Sequence, residues 1–335
     1  MSAVVCGVGP AVLDQRVLAD AQVLSGGGKT EVRIQDALGG GCLNALRAAA
    51  QQGAAILPVL LVGLDPLRRH IEMLVKQQFP QSILLSMLRE SRRSILCGDS
   101  VATVRSDMVC QRLPESAQRR LRAADLVIVA PMTEQDTQFV AAVLSLARQS
   151  VLLLSSRQLA DAEAAVSLSR MATWTIVNRR ELAVWTGCQS LDAGLLILRG
   201  LGVERLLVTQ SEGVVIEEQG HRHFQPSLQI EQPTSTVGAG DVFAGVFAAC
   251  LAAGCGVEDA VRNAQLAAAE FLQQPTETGQ TGSDRATVAA RPVGRLSLPP
   301  LPVRSGKSHG RIRPIVPAVA AASVLLAALV ATFGG

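Results

Sequence analysis

The sequence contains few aromatic side chains. Phe and Trp together make up 3% of its 335 residues, and tyrosine is absent altogether. This scarcity argues against a surface on which the bases of single-stranded nucleic acid would stack. Hydrophobic residues reach 48%, which excludes an intrinsically disordered chain. The length is sufficient for one large domain or two of ordinary size, with a substantial core.

Cysteine motifs typical of metal sites are also missing. The seven cysteines include no C-x-x-C pair and lie in apolar surroundings, a pattern more typical of buried thiols in a reducing cytosol than of disulfides or zinc sites. His221 and His223 alternate along a predicted strand without Cys or His nearby, so they are expected to be surface residues rather than ligands. The first seven residues lack the basic region of a secretory signal, and none is predicted.

Acidic residues are missing from the last part of the chain, from 285 to 335. Seven of the 31 Lys and Arg residues and none of the 28 Asp and Glu residues lie there. The overall charge of +3 therefore combines a strongly basic tail with a net charge of −4 over residues 1–284. Because a slightly acidic domain has no need of a polyanion, we predict no nucleic-acid partner.

The basic tail has two parts. Residues 286–314 are rich in Pro, Ser, Gly and Arg, which predicts an extended, unpacked linker. Residues 315–333 are uncharged and, at about 1.5 Å per residue, just long enough for a transmembrane helix. Because Arg311 and Arg313 precede this run, the positive-inside rule places the preceding domain, residues 1–285, on the cytoplasmic side of a lipid bilayer. The alternative is an Ala-rich helix that packs on that domain.

Short apolar runs alternate with helical patterns through this domain. Continuous apolar strands separated by helices of about 10 to 15 residues predict a doubly wound, mostly parallel α/β sheet with helices on both faces. Two segments, Lys29–Ala37 and Ser94–Arg105, alternate polar and apolar residues instead, so they predict half-exposed strands of a small flanking sheet. The predicted strands of the main sheet are Ala3–Val8, Ile56–Gly63, Leu126–Ala130, Ser150–Leu154, Thr175–Val177 and Arg205–Thr209, and the predicted helices are Leu43–Gln52, Pro66–Gln78, Glu134–Arg148, Arg157–Arg170 and Leu191–Gly200.

A glycine-rich motif, T-S-T-V-G-A-G-D, occupies residues 234–241 and leads directly into an apolar helical pattern, Val242–Gly254. Small residues allow a ligand to approach the backbone, and free N–H groups at the start of a helix attract anions. The carboxylate of Asp241 is placed to accept the proton of a hydroxyl that attacks a bound phosphoryl group. For this segment alone, the simpler interpretation is a glycine turn with Asp241 as the helix N-cap.

Residues 234–241 resemble the second signature, D-T-x-G-A-G-D, of the ribokinase-like, or phosphofructokinase-B, family of sugar kinases. Four further motifs occur in the family's order, so the resemblance extends over the chain to the region of residue 275. They are an opening strand with an aspartate at its end, Gly7–Asp14, a double-glycine signature, Gly39–Ala45, an N-x-x-E motif, Asn178–Glu181, and a nucleotide-side motif, Val208–Gly213.

The resemblance implies a ribokinase-like fold in which a small β-sheet lid flanks the doubly wound sheet. The lid segments would lie near residues 12–37 and 92–106. It also implies a kinase that depends on ATP and Mg²⁺ and phosphorylates a sugar or nucleoside. Because lids in this family often form dimer contacts, a homodimer through the lid is a further implication.

The resemblance also implies roles for individual residues. Asp241 would be the general base, and the amides of Gly238, Ala239 and Gly240 would form the anion hole for charge that develops during transfer. Glu181 would help to organise Mg²⁺ through water. The remaining implied roles are substrate binding, by Asp14, Gly39, Gly40 and Asn44, and binding on the nucleotide side, by Asn178, Glu181, Thr209, Gly213 and Asn263.

The sequence departs from the family's pattern at several positions, among them the strand ending at Ala130–Met132, which offers no acidic contact to a substrate. Ser235 replaces an aspartate that commonly helps to bind a monovalent cation, so potassium activation is not predicted. Ser211 replaces the first glycine of the nucleotide-side turn, and Gly41 stands where ribokinases have lysine, so ribose is not favoured. The retained Asp241 favours an active kinase of a sugar-like alcohol. The alternatives are a nucleoside kinase of the same family and a membrane-tethered binding or scaffold protein with weakened catalysis.

Overall fold

The computed structural model describes residues 2–18, 33–97, 100–110, 112–130, 132, 136–228 and 238–273. The predicted linker, the predicted transmembrane helix and Ser235 lie outside these residues. Within them, no helix combines the length and the apolarity that a membrane span requires.

Strands and helices alternate through most of the described chain, as the apolar pattern predicts. The six predicted strands of the main sheet are all present. Helices α3, α6 and α9 lie where the pattern predicted no helix, and α1 and α8 begin two and three residues before the predicted helices. In chain order the elements are β1 (Val4–Pro10), β2 (Val12–Leu18), β3 (Arg33–Gly39), α1 (Gly41–Gln51), β4 (Ala55–Gly63), α2 (Leu67–Gln78), β5 (Ile83–Leu88), β6 (Arg92–Cys97), β7 (Ser100–Val104), α3 (Glu115–Ala123), β8 (Leu126–Val129), α4 (Thr137–Leu146), β9 (Ser150–Leu153), α5 (Ala162–Met171), β10 (Trp174–Asn178), α6 (Arg179–Thr186), α7 (Leu191–Gly200), β11 (Arg205–Gln210), β12 (Gly213–Glu218), β13 (His221–Pro226), α8 (Ala239–Ala252) and α9 (Val257–Gln273).

The large sheet has the strand order β13-β12-β11-β10-β9-β8-β1-β4-β5. All neighbouring strands from β5 to β11 are parallel, and β12 and β13 add an antiparallel hairpin at one edge. Alternate residues of the central strands enter two separate cores: Leu126 and Ile128 of β8 pack with α1, α8 and α9, whereas Val127 and Val129 pack with α3 to α7. Helices therefore cover both faces, and the predicted doubly wound α/β architecture is confirmed.

A second sheet of four strands has the order β3-β2-β6-β7. It contains β3 from the first segment with alternating residues, β6 and β7 from the second, and β2, which lies in the lid region that the resemblance placed near residues 12–37. The segment Ser94–Arg105, predicted as one strand, folds as a hairpin of two antiparallel strands instead. Strand β2 joins the two halves because it pairs with β3 on one side and with β6 on the other.

Two predicted boundaries were wrong. The helix expected over Arg157–Arg170 is a short 3₁₀ turn, Gln158–Ala160, followed by a separate helix, α5. The break falls at Asp161, whose side chain accepts a hydrogen bond from the Ala164 amide at 3.0 Å and caps α5. Asp14 does not end the opening strand, because β1 stops at Pro10 and Asp14 lies within β2 of the small sheet.

The cysteines and histidines agree in part with the sequence predictions. His221 and His223 are exposed on β13, as predicted. Cys6, Cys42 and Cys250 are free and buried, but Cys110 and Cys255 are exposed, so the prediction of buried thiols was too broad.

Candidate active site

Two helices of the same core, α1 and α8, begin at glycines with left-handed or related backbone conformations. The N-cap of α1 is Gly40, with φ of 103°, and the N-cap of α8 is Gly238, with φ of 89°. A side chain would be strained at such φ values, so glycine is required there. Neither helix start has a side-chain cap, in contrast to α6, which Asn178 caps. The first-turn amides are therefore left for another acceptor, such as an anion.

Glycines also allow these helices to approach each other and the sheet. A Cβ atom on Gly245 of α8 would lie 2.0 Å from the carbonyl oxygen of Ala45 in α1. Likewise, a Cβ atom on Gly9 of β1 would lie 2.8 Å from the Cβ of Cys42. Because no side chain larger than hydrogen fits at either position, α1 packs tightly against both α8 and β1, and the starts of the two helices come together.

At this junction, the side chains of Asn44 and Asp241 meet although they are 197 residues apart in the sequence. Asn44 Nδ2 donates a hydrogen bond of 3.0 Å to Asp241 Oδ2. A Cβ atom on Gly41 would lie 2.9 Å from Asp241 Oδ1, so the backbone of the first turn of α1 faces the carboxylate. The structure therefore brings together Gly40 and Asn44 of the double-glycine signature with Gly238, Ala239, Gly240 and Asp241 of the second signature.

Asp241 is the third residue of α8 rather than its N-cap, which is Gly238. The N-cap interpretation is therefore wrong for this residue. Burial raises the pKa of the Asp241 carboxyl, and the hydrogen bond from Asn44 offsets part of this rise. Among the described residues, nothing lies within 4 Å of a Cβ atom placed on the neighbouring Gly240, which is itself exposed. As far as these residues show, a ligand can approach the first-turn amides beside a carboxylate of raised basicity.

Arg47, which the sequence analysis did not single out, holds Asn44 in one orientation. Its guanidinium is buried, and Nη1 donates to Asn44 Oδ1 at 3.1 Å while Nη2 donates to the Leu38 carbonyl at 2.8 Å and to Gln78 Oε1 at 2.7 Å. The oxygen of the Asn44 amide therefore faces Arg47 and its NH₂ group faces Asp241. A signal was present in the sequence, because Arg47 is the one charged residue of α1.

This orientation changes the role expected for Asn44. The resemblance implied that its amide both donates to and accepts from substrate hydroxyls. In the structure the oxygen accepts from Arg47 and one N–H is donated to Asp241. The oxygen and one N–H of the Asn44 amide are therefore already hydrogen-bonded within the protein.

The other predicted substrate residues lie where β2 and β3 meet α1. Gly39 ends β3 and pairs with Val12 of β2. Asp14, two residues further along β2, is half-buried and pairs with Ala37 and Ser94 on the neighbouring strands. Asp14 thus lies on the small sheet and not at the end of β1.

The predicted nucleotide-side residues lie on a different part of the molecule, at β10 to β12 and α9. Asn178 and Thr209 are paired neighbours on the parallel strands β10 and β11. A Cβ atom on Gly213 would lie 2.3 Å from the Gln225 carbonyl oxygen, and Gln265 of α9 donates to the same oxygen at 3.2 Å. Gly213 is therefore required by the packing of β12 on β13.

Asn178 and Glu181 form a reciprocal capping box at the start of α6. Asn178 Oδ1 accepts from the Glu181 amide, and Glu181 Oε2 accepts from the Asn178 amide, both at 2.8 Å. Burial raises the pKa of the Glu181 carboxyl, and the hydrogen bond from the Asn178 amide opposes this rise. One amide nitrogen and one carboxylate oxygen remain outside the box, so both residues can contact water or phosphate. Asn263, on α9, is exposed and its Nδ2 lies 3.7 Å from Cys250 Sγ.

Within the described residues there is no group of three or more His, Cys, Asp or Glu side chains that could enclose a metal ion. Glu181 has one carboxylate oxygen outside its capping box, and a single carboxylate is a suitable neighbour for Mg²⁺ that is held mainly by phosphate oxygens and water.

Comparisons with known proteins agree with this geometry. A model of the family "pfkB family carbohydrate kinase" matches residues 5–281. The bifunctional protein HldE of Rhodopseudomonas palustris is 28% identical over 254 residues, which are 69% of this chain and 51% of that protein. The cytidine kinase of Thermococcus kodakarensis is 34% identical over 100 residues, which are 29% of this chain and 36% of that protein. The chain thus spans about half of the first relative's length and about a third of the second's.

Solved structures show the same fold. A putative ribokinase from Agrobacterium tumefaciens superposes with a TM-score of 0.66 at 20% identity, covering 86% of this chain and 98% of that one. Arabidopsis thaliana ribokinase, complexed with ribose and ATP, gives 0.65 at 18% identity, covering 87% and 99%. Adenosine kinase from Sinorhizobium meliloti gives 0.64 at 19%, covering 86% and 99%. The fold, the order of the motifs and the family match lead to one conclusion: the chain belongs to the pfkB family of carbohydrate kinases.

Proposed function

We propose that this protein transfers the γ-phosphoryl group of ATP to a hydroxyl group of a sugar or sugar-like small molecule. The observation that carries the proposal is the position of the Asp241 carboxylate, which lies where two helix starts without side-chain caps converge and accepts a hydrogen bond from Asn44. A base and a set of anion-binding amides at one point are what phosphoryl transfer to an alcohol requires.

In the proposed reaction, Asp241 takes the proton of the acceptor hydroxyl as its oxygen attacks the γ-phosphorus. A new O–P bond forms, the bond between the γ-phosphorus and the β,γ-bridging oxygen breaks, and ADP leaves with the electron pair. The amides of Gly238, Ala239 and Gly240 donate to the phosphoryl oxygens as charge develops. Because burial raises the pKa of Asp241, its carboxylate is a stronger base than an exposed aspartate.

The remaining residues divide between the acceptor side and the ATP side of the site. Asp14, Gly39 and Gly40 hold the acceptor from the small sheet and the start of α1, while Asn44 orients Asp241. Mg²⁺, when bound, supplies charge neutralisation between the phosphates. Glu181 and Asn178 would contact its water shell, and the residues Thr209, Gly213 and Asn263 would belong to the ATP side.

A nucleoside is the second candidate acceptor. The 34% identity to a cytidine kinase over 100 residues favours it. A nucleoside presents ribose hydroxyls to the same base, so the proposed chemistry is unchanged and only the surroundings of the acceptor differ.

The proposal is tested by measuring ADP release from ATP and Mg²⁺ by the purified full chain with a panel of sugars, sugar derivatives and nucleosides. We expect turnover with at least one acceptor, and the substitution Asp241→Asn should abolish it. Asp259→Asn is the matched control, because Asp259 is a surface residue of α9 that pairs only locally, with Arg262. ATP binding without turnover of any acceptor would favour the alternative of a ligand-binding protein with weakened catalysis, which Ser211 and Ser235 suggest.

We also propose that residues 315–333 anchor the protein in a membrane, with the kinase domain on the cytoplasmic side. The support is the uncharged run itself and the basic residues Arg311 and Arg313 before it.

A further inference from the structure

Arg92, the first residue of β6, carries buried hydrogen-bond donors that are not satisfied. Arg92 is only 8% exposed, and among the described residues neither its Nε nor its Nη2 has a hydrogen-bond partner. Its ion pair with Asp136, from Nη2 to Oδ2, is long at 3.9 Å. Buried guanidinium donors without partners are costly in free energy, so their retention here points to an acceptor that arrives with a ligand.

The two unsatisfied atoms form one edge of the guanidinium group. Nε–H and one N–H of Nη2 point in the same direction, and this fork matches two oxygens of a carboxylate or a phosphate. A bidentate partner of this kind satisfies both donors at once, whereas a single hydroxyl group satisfies only one.

Other charges around Arg92 favour an anion. Burial lowers the pKa of the Arg92 guanidinium, the Asp136 carboxylate raises it, and the positive charges of Arg105 and Arg157 lower it. The Asp107 carboxylate also raises the pKa of Arg92. Two further guanidinium groups and two carboxylates are therefore close enough to Arg92 to influence its charge, and both Arg105 and Arg157 are exposed.

The position of Arg92 is on the acceptor side of the candidate active site. Arg92 pairs with Val12 of β2, and Val12 Cγ2 lies 2.9 Å from the place of a Cβ atom on Gly40. Gly40 is the N-cap of α1, whose first turn faces Asp241. Arg157 follows the carboxyl end of β9, so the arginines lie near the sheet edge at which open α/β sheets bind ligands.

We propose that the molecule phosphorylated at Asp241 carries a second, anionic group, a phosphate ester or a carboxylate, which Arg92 binds through its fork while Arg105 and Arg157 flank it. The proposal rests on the proposed function and narrows its acceptor from sugars in general to phosphorylated sugars or sugar acids. A neutral sugar or nucleoside leaves the two donors of Arg92 without a partner.

The test compares neutral and anionic acceptors in matched pairs. Binding to the full chain is measured by calorimetry, and ADP release is measured in parallel. One arm uses sugar phosphates against the parent sugars, such as fructose 6-phosphate against fructose, and the other uses sugar acids, such as gluconate against glucose. We expect at least one anionic member to bind about 10- to 100-fold more tightly than its parent, as for a charged bidentate contact. The arm in which the preference occurs identifies phosphate or carboxylate.

Arginine variants then show which residues cause the preference for the anionic acceptor. Arg92→Gln should remove most of it, and Arg92→Lys should restore only part, because lysine keeps the charge and loses the fork. Arg105→Gln and Arg157→Gln, at exposed positions, should each weaken the anionic member alone, which keeps the test valid if Arg92→Gln does not fold. Arg119→Gln is the matched control, since Arg119 is a surface residue paired with Glu115.

Equal binding of neutral and anionic acceptors, or a preference that survives in Arg92→Gln, would overturn the proposal and leave Arg92 as a structural partner of Asp136. The two proposals fail differently. Turnover of neutral acceptors without an anionic preference supports the kinase and refutes the anion site. Anionic preference in binding without any ADP release supports the anion site and refutes the kinase.

Discussion

The hydrogen bond from Asn44 to Asp241 predicts a specific effect on the pH dependence of the reaction. Burial raises the pKa of the Asp241 carboxyl, and the 3.0 Å hydrogen bond from Asn44 lowers it in part. The substitution Asn44→Leu removes the donor at nearly the same side-chain size. Because burial then acts without this opposing contact, the pKa of Asp241 must rise further, and a smaller fraction of the base is ionised at a given pH.

The size of the expected pKa change follows from the negative charge on the Asp241 carboxylate, which accepts the hydrogen bond. A hydrogen bond to a charged group contributes about 1.5–3 kcal/mol, and about 1.4 kcal/mol corresponds to a factor of ten. We therefore expect kcat/KM of Asn44→Leu to fall about 10- to 100-fold on the acidic side of the profile. The loss should become much smaller at high pH, where Asp241 is ionised in both proteins. The acidic limb of the profile should move to higher pH.

The assay is the rate of ADP release against pH with an acceptor that the panel identifies. Urea unfolding of each variant separates this effect from a loss of stability, because Asn44→Leu also leaves Arg47 Nη1 without its 3.1 Å partner. Arg47→Met provides an independent variant, since it frees the Asn44 amide to rotate and should move the limb in the same direction by less. If activity falls equally at every pH and the acidic limb of the profile does not move, the hydrogen bond from Asn44 does not lower the pKa of Asp241.

Further predictions concern packing and the tail. Gly41→Ala places a methyl group 2.9 Å from Asp241 Oδ1, so kcat/KM should fall at least about tenfold while unfolding in urea changes little, as for a displaced catalytic group. Gly245→Ala places a methyl group 2.0 Å from the Ala45 carbonyl oxygen and should destabilise the fold by about 1–3 kcal/mol, measured by urea unfolding. An alkaline carbonate wash should leave the full chain in the membrane pellet if residues 315–333 are a transmembrane helix, and release into the supernatant would contradict the anchor.

The local pattern of apolar residues was sufficient to predict the main architecture. The runs that begin at Leu126 and Ser150 form β8 and β9, which are buried on both faces. Because these runs have no polar face, they fit only a sheet that is covered on both sides. The helix expected over 157–170 shows the limit of such patterns. Periodicity continues through this segment, but Asp161 gains a capping hydrogen bond that ends the regular turn.

The candidate site was predictable only where its residues belong to motifs. Gly238 to Asp241 could be identified because glycines and a carboxylate before an apolar helix have a defined chemistry, and Gly39 to Asn44 because they resemble the family's double-glycine signature. The contact between these two segments could not be predicted, since it depends on how closely α1 packs against α8. The role of Arg47 was missed for the same reason: its partners, among them Leu38 and Gln78, lie on three different elements.

The most direct test of the account is ADP release by the full chain and by its Asp241→Asn variant, measured with the acceptor panel that includes sugar phosphates and sugar acids. The account predicts turnover of at least one acceptor by the unaltered chain and none by the variant, with ATP bound by both. Equal turnover by the two proteins would contradict the assignment of Asp241 as the base.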